Sequence, residues 1–383
     1  MKIAYILPNL QQAGPIILVQ SLVKYLFHQI EDVCVYYIDE SENPVKMDCE
    51  VHKIFYNKPF DFDRYDIIHC HTAKPDLYGF IWQHNMKHSL LITTIHQDSY
   101  FTEQVRLGKF GGSLYTSVWL AFQNRFDGLV TISEQTRDSY QKYFGKNLKV
   151  IYNGVNCVNG SKDKAVVDKI KAFKSNGCIL LGTYALITKR KGLIQVLRMM
   201  VEHDEYKFVI IGNGPEVENL KSFTIQNSLQ ERVLFMSHID KPYLYMDDID
   251  IYMMPSYSEA FGLAMVEAAI QHKAIVCSDL PSFHEIFPDV TAGFFKKDDV
   301  ESMHSVIQKV YGSLKNYADA AYNRANAMFV AERMADNYMT YYHKILQNSP
   351  HKISRNSIIK SLYMMFPLIG KSIANLIKYL MNR

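Results

Sequence analysis

The sequence predicts an α/β protein of two lobes, each a doubly wound parallel sheet with helices on both faces. Short apolar runs alternate with helical stretches along the chain. The runs are continuously apolar, which is how strands read when both faces of a sheet are covered. A chain of 383 residues is also longer than a single hydrophobic core usually organises.

In chain order, KIAYIL, DVCVYYI, DIIHC, LLITTI and GLVTIS supply strands of the first lobe. CILLGTY, KFVIIG, VLFMS, IDIYMMP and AIVCS supply those of the second. Between Asn153 and Lys174 the pattern gives way to Asn, Gly, Ser and Lys, and NGVNCVNGSKDK reads as a linker. The first lobe is therefore set at 1–160 and the second at 161–330. Beyond them, MADNYMTYYHKIL has amphipathic helical spacing over 331–349. No short-period repeat or low-complexity tract interrupts the series.

A formal net charge of +3 is close to balance and gives no support to nucleic-acid binding, which usually needs a concentrated basic surface. Cys34, Cys49, Cys70, Cys157, Cys178 and Cys277 are scattered without a Cys-x-x-Cys pair. That spacing argues for a reducing compartment and against a disulfide framework or structural zinc. The chain starts on a strand with Lys2 and Pro8, without the apolar core of a signal peptide, so a cytoplasmic location is expected. No stretch is long and apolar enough for a membrane-spanning helix.

The most informative segment is PSYSEAFGLAMVEAAIQ, from Pro255 to Gln271. An apolar strand ends at Pro255, SYSEAFG has the Ser and Gly content of a turn, and LAMVEAAI is made of helix formers. The helix start would aim free backbone N–H groups, around Ala260, Phe261, Gly262 and Leu263, beyond the carboxyl end of the strand, where anions bind. Glu259 and Glu267 would flank that anion as acceptors for sugar or ribose hydroxyls. A lone Glu in such a unit can be incidental, but one in the middle of an apolar helix is costly to bury without a partner.

The Glu-x7-Glu spacing, the preceding Pro-Ser and the Phe-Gly-Leu between the acids resemble the signature of the retaining glycosyltransferases of family 4, which have the GT-B fold. The resemblance extends over most of the chain, through MKIAYILPNLQQAGP, DIIHCHTAKP, LITTIHQD, LVTISEQTRD, VIYNGVN, ITKRKGL and FVIIGNGPEVENL in the family's order. It implies two Rossmann-like lobes around a deep interlobe cleft: 1–160 on the acceptor side, 161–330 binding the nucleotide-sugar, and 331–349 crossing back onto the first lobe. It implies a nucleotide-diphosphate sugar as co-substrate, with a UDP-sugar expected and no other cofactor.

Carried over residue by residue, the resemblance assigns His96 to a hydroxyl of the donor sugar or to the transition state. It places Lys191 on the leaving diphosphate. The family usually has an arginine five residues before that lysine, where this chain has Leu186, so Arg190 is the candidate to supply the missing guanidinium. Lys189 is read as surface. Gly14 corresponds to a turn near the phosphates or acceptor, Gly212 and Gly214 to the turn lining the nucleotide pocket, and Ser133 and Asn153 to strand ends near the cleft. His69 and His71 are read as lying on opposite faces of their strand, unable to share an ion. The acidic groups Asp61 with Asp63, and Asp247 and Asp248 with Asp250, read as surface turns, and no metal is expected. The glycine-bearing segment from Tyr100 to Tyr115 reads as a mobile acceptor loop.

The last stretch, 350–383, puts Ile358, Leu362, Met365, Phe366, Ile369, Ile373, Leu376 and Leu380 on one helical face and Lys360, Lys371 and Lys378 opposite. From Asn337 onward there is no Asp or Glu. Residues 352–383 are thus expected to lie on an anionic membrane surface, at the inner face of the cytoplasmic membrane. A helix docked on the protein's own core or at a dimer contact is the alternative. The reading is a retaining transferase acting on a lipid-linked or cell-surface glycan, in polysaccharide, O-antigen or lipooligosaccharide biosynthesis. Two others stay open: a nucleotide-sugar epimerase or phosphorylase-like enzyme, and a non-catalytic partner subunit of another transferase.

Overall fold

The computed structural model describes residues 1–96, 99–157, 160–174 and 177–349, and the tail expected to bind membranes lies outside them. The chain forms two compact units: Met1–Gly154 with the chain from Ala331, and Val155–Val330. Both are parallel α/β units, as the continuous apolar runs predict.

The first unit runs β1 (Lys2–Leu7), α1 (Gly14–Leu26), β2 (Asp32–Tyr37), β3 (Glu50–Lys53), β4 (Ile67–His71), α2 (Ala73–Trp82), β5 (Leu90–Ile95), α3 (Ser99–Gln123), β6 (Gly128–Thr131), α4 (Glu134–Gln141) and β7 (Lys149–Val150). Its sheet order is β3-β2-β1-β4-β5-β6-β7. Ala4, Ile6, Ile68, Cys70 and Leu91 face one hydrophobic cluster, and Ile3, Tyr5, Leu7 and Ile92 face another. The second unit runs α5 (Lys164–Phe173), β8 (Ile179–Tyr184), α6 (Ile194–Glu202), β9 (Tyr206–Ile211), α7 (Val217–Gln226), β10 (Val233–Met236), β11 (Ile251–Met254), α8 (Leu263–Ile270), β12 (Ala274–Ser278), α9 (Pro281–Ile286), β13 (Gly293–Phe295), α10 (Val300–Tyr311) and α11 (Leu314–Met328). Its sheet order is β10-β9-β8-β11-β12-β13. In each sheet the order reverses once, at β1/β4 and at β8/β11, and ligands of open α/β sheets bind beyond the carboxyl ends of strands at such points.

The last described helix, α12 (Ala331–Gln347), belongs to the first unit. Met334, Ala335, Tyr338 and Tyr342 are buried in the cluster that holds Tyr5. No helix among the described residues is long and apolar enough to cross a membrane.

Three sequence expectations are corrected. The linker NGVNCVNGSKDK ends at Lys164, but the break in pattern expected to run on to Lys174 is filled by α5, which Asp163 caps by accepting from Ala165 N at 2.8 Å. Val166, Val167, Ile170 and Phe173 give it an apolar face at helical spacing, which the Lys-rich composition around it masked. The segment from Tyr100 to Tyr115, read as a loop, is part of α3, whose helix breaks at Gly108 with φ 76°. His69 and His71 share one face, because residues two apart in a strand point the same way. Their ring centroids are 4.3 Å apart.

Candidate functional site

The candidate residues of the second unit gather beyond the carboxyl ends of β8, β9 and β11. A 3-10 turn, Lys189–Lys191, follows β8 and is ended by Gly192 in the left-handed region at φ 63°. A Cβ there would lie 2.0 Å from the carbonyl oxygen of Pro255, so only glycine lets the turn rest against the end of β11. Two further contacts lock this approach. Tyr257 N donates to Arg190 O at 2.8 Å, and Gln195 Nε2 donates to Pro255 O at 2.7 Å. Gly212 and Gly214 follow β9, and added Cβ atoms would meet the carbonyl oxygens of Ala185 and Ile187 at 2.0 and 2.2 Å. These glycines thus seat one turn upon another.

Glu259 sits in that junction with a side chain only 10% exposed. Its Oε1 meets Lys191 Nζ at 2.5 Å and Arg190 Nη1 at 2.9 Å, and accepts from Ser256 Oγ at 3.4 Å. All of these contacts fall on Oε1, and among the described residues none falls on Oε2. Burial alone would push this carboxyl up, but the charges of Lys191 and then Arg190 outweigh it and hold Glu259 below the usual carboxylate range. Arg190 Nη1 also donates to Ser258 O at 2.8 Å, whereas Leu186, where the family arginine would stand, is 68% exposed. Ser282 Oγ donates to Glu259 O at 2.7 Å and fixes the loop from its other side chain neighbour in α9.

The helix starts at Leu263, as the LAMVEAAI reading has it, so of the residues expected to aim free N–H groups Ala260 and Phe261 lie ahead of the helix. Gly262, at φ 89°, precedes α8 and its carbonyl accepts from Met265 N and Val266 N. Phe261 is buried edge-on against Phe329, with ring centroids 5.5 Å apart. Ala260 and Phe261 therefore belong to the loop and its packing, leaving the first N–H groups of α8 as the helix-end donors.

Glu267 has a different environment. It lies within apolar α8, and its Oε2 is 3.0 Å from Tyr184 Oη, which is also 2.9 Å from Ala264 O. The hydroxyl carries one proton and the carbonyl can only accept. Both contacts are satisfied together when Glu267 carries a proton of its own. Burial pushes this carboxyl up to about 7, an effect that Tyr184 partly relieves. The folded chain thus holds the proton more tightly than the unfolded chain, whose Glu titrates near 4.5. Stability from this group is therefore present in full below about pH 4.5 and lost as pH rises through about 7, by at most about 3 kcal/mol. Glu267→Gln should raise Tm relative to the parent more at pH 8 than at pH 5. Equal shifts at both pH values would show that Glu267 is ionised throughout.

Lys189 borders a separate hollow with Thr188, Gly192, Asn219, Phe223 and Tyr257, which neither carboxylate lines. Asp63 accepts from Lys87 N and His88 N, and Asp250 from Leu180 N and Lys174 Nζ. Those acids are committed to turns and pairs.

In the first unit the candidates follow strand ends. Gly14 is the first residue of α1 and not a turn glycine, with Pro15 after it fixing a helical start. Ser133 caps α4, its Oγ accepting from Thr136 N at 3.1 Å. Asn153 is buried, and its Oδ1 has no hydrogen-bond partner among the described residues. His96 follows β5 directly, and its Nε2 is 2.9 Å from His71 Nδ1. Burial lowers His96 to about 3, so the ring is neutral. Sequence reasoning missed Tyr184, Ser282 and the pairing of His71 with His96, since nothing local in the chain links residues so far apart.

The chain is similar to known proteins in sequence and in fold. The family model described as Glycosyl transferases group 1 matches residues 167–327, and that described as Glycosyltransferase Family 4 matches residues 53–158. The chain is 29% identical over 365 residues to the O-antigen biosynthesis glycosyltransferase WclY of Escherichia coli, covering 91% of this chain and 99% of that one. Its fold is similar to sucrose-phosphate synthase from Thermosynechococcus elongatus, with a TM-score of 0.75 at 16% identity over 91% of this chain and 100% of the other. It is also similar to Anabaena Alr3699/HepE in complex with UDP and glucose, with a TM-score of 0.74 at 17% identity over 90% and 99%. Two parallel sheets of this topology, acids spaced Glu-x7-Glu beyond β11, and family models spanning both units agree: the chain belongs to the family 4 glycosyltransferases, of the GT-B fold.

Proposed function

We infer that the protein moves a sugar, with retention of anomeric configuration, from a nucleotide-diphosphate sugar to a lipid-linked or cell-surface glycan. A UDP-sugar is the donor class, which the UDP bound by Alr3699/HepE supports. The likeness to WclY supports an acceptor of O-antigen or related polysaccharide type. One observation carries the reading: Glu259 is held buried and ionised by Lys191 and Arg190 beside the first turn of α8.

A carboxylate that is already paired contributes a free oxygen at low cost. Lys191 and Arg190 receive the diphosphate, together with the N–H groups opening α8. Glu259 Oε2 accepts from a hydroxyl of the donor sugar, and its charge faces the positive charge that develops at the anomeric carbon. Glu267 accepts from the ribose hydroxyls once it gives up its proton. His96 serves a sugar hydroxyl. Gly212 and Gly214 shape the nucleotide pocket, Gly14 lies on the donor's phosphate side, and Ser133 and Asn153 are contacts near the cleft. The bond from C1 to the phosphate oxygen breaks as the acceptor oxygen bonds to C1 on the same face. The acceptor's proton leaves with the departing phosphate. No enzyme nucleophile and no metal takes part.

A thermal-shift panel of UDP, other nucleoside diphosphates and their sugars tests the donor, since a ligand of the folded state raises Tm. UDP and one UDP-sugar should raise Tm, and more at pH 8 than at pH 6. With a carboxyl titrating near 7, ionised Glu267 rises roughly tenfold over that range. A flat response across all nucleotides would remove the reading, as would a product of inverted configuration by NMR. Epimerised or hydrolysed donor without acceptor would favour an epimerase-like enzyme. Transfer in excess chelator checks metal independence.

Residues 352–383 hold the protein on anionic lipid at the inner face of the cytoplasmic membrane, through their lysines and apolar face. Deleting the residues after Pro350 should weaken sedimentation with anionic vesicles and leave the UDP-induced Tm shift intact. Equal vesicle binding by the shortened chain would refute the membrane role.

A further inference from the structure

We propose that His71 is a positioning residue that fixes His96 in the Nδ1–H tautomer, so that His96 offers its substrate a hydrogen-bond donor. The inference rests on the assignment of His96 to the donor sugar, but its structural part can be tested without substrate.

His71 ends β4 and is fully buried. Its Nδ1 lies 2.9 Å from His96 Nε2, and its Nε2 is buried with no hydrogen-bond partner among the described residues. Burial lowers both rings below the usual histidine range, so each is neutral and carries one proton. Two arrangements of those protons make the hydrogen bond. If His96 Nε2–H donates to His71 Nδ1, the proton of His71 must sit on its Nε2, where a buried N–H finds no acceptor. Orphaned buried N–H groups are the rare case, because the full cost of removing a strong donor from water is left uncompensated. If His71 Nδ1–H donates to His96 Nε2, the unpaired site on His71 is only a lone pair, and the proton of His96 is on Nδ1. The second arrangement is the one this burial selects.

The surroundings hold His71 in place for this task. His69, on the same face, is hydrogen-bonded at both nitrogens, to Tyr342 Oη at 2.7 Å and to Thr94 Oγ1 at 2.9 Å. Thr94 Oγ1 is in turn 3.0 Å from Tyr338 Oη. Tyr338 and Tyr342 come from α12, so the helix that closes the first unit also braces the strand on which His71 stands. The His71 ring lies against those of His69 and Tyr5, with centroids 4.3 and 6.0 Å away. Turning its Nε2 to a new partner would carry Nδ1 away from His96 and break the 2.9 Å hydrogen bond. For His96 the consequence is chemical. A neutral imidazole with Nδ1–H cannot act as a base through that nitrogen but can donate to a sugar hydroxyl or a phosphate oxygen.

Long-range 1H–15N NMR on the 15N-labelled full chain distinguishes protonated from bare ring nitrogens, with His96 assigned by the signals lost in His96→Gln. The expected result is His96 as a single Nδ1–H tautomer. A free neutral imidazole favours Nε2–H, so finding that form at His96 would overturn the proposal. His71→Asn keeps an N–H donor in place of Nδ1 and should preserve the Nδ1–H form, while His71→Phe should lose it. If His71→Phe keeps it, or if His71→Asn shows Nε2–H, the proposal fails. Should His71→Phe not fold, His71→Asn alone decides. Full transfer activity in His96→Gln would instead remove the role of His96 at the sugar and leave the tautomer assignment standing.

Discussion

Glu259→Gln is expected to reduce turnover by about 10²–10³-fold while UDP binds as well as before or more tightly. The two effects separate because Glu259 stands between two functions. In the free protein its Oε1 neutralises Lys191 and Arg190, the groups assigned to the diphosphate. An uncharged amide of the same shape frees both cations for phosphate, so ground-state affinity for UDP does not fall. The amide lacks the negative charge needed where the anomeric carbon becomes positive, and the transition state loses what the ground state keeps. Calorimetric titration with UDP and a transfer assay on the same preparation would measure both. Loss of UDP binding in proportion to turnover would assign Glu259 a structural role, and unchanged turnover would remove it from the chemistry.

Lys191→Ala should act in the opposite sense, weakening UDP by about 10–100-fold and leaving UMP little affected. The ammonium makes a charge-assisted contact worth about 1.5–3 kcal/mol to a phosphate, and UMP lacks the distal phosphate that it would meet. The substitution also takes one of two cations from the buried Glu259, so Glu259 should titrate higher than in the parent. Arg190 remains as partner, which makes outright unfolding an unexpected result. Equal losses for UDP and UMP would show that Lys191 acts on the nucleoside or on the fold. Lys191→Arg should recover only part of the affinity, since the planar fork is larger and Gly192 leaves the turn no slack.

The two experiments test one arrangement from its two ends. The proposed function puts the carboxylate at the sugar and the cations at the phosphate, and in the free protein they are paired with each other. Glu267 differs because its partner is the neutral Tyr184 hydroxyl, so its charge follows pH, while that of Glu259 is fixed by its neighbours. Two acids eight positions apart thus hold different protonation states for reasons that lie in other elements.

The strands of both sheets were legible wherever a strand is covered on two faces, because burial forces an unbroken apolar run. The edges were not. β3 reads EVHK, β7 is two residues long and β13 three, and none forms an apolar run long enough to signal a strand. The Glu-x7-Glu spacing was legible too, since the apolar helix around Glu267 makes an acid conspicuous. Its partner was not, as Tyr184 is one of many tyrosines and stands on a different strand. The pairing of His71 with His96 was missed through a misreading of strand parity, for alternation alone places His69 and His71 on one face.

The sequence by itself determined the parallel strands, the family and the identity of the candidate acids and cations, because each depends on local periodicity or on a run of neighbouring residues. Only the tertiary structure decided that Arg190 and Lys191 share one oxygen of Glu259, that Tyr184 meets Glu267, and that a buried nitrogen of His71 is left unpaired. Charge state and tautomer are set by the few atoms within hydrogen-bond reach. In a doubly wound sheet those atoms come from strand ends that crossovers separate widely along the chain.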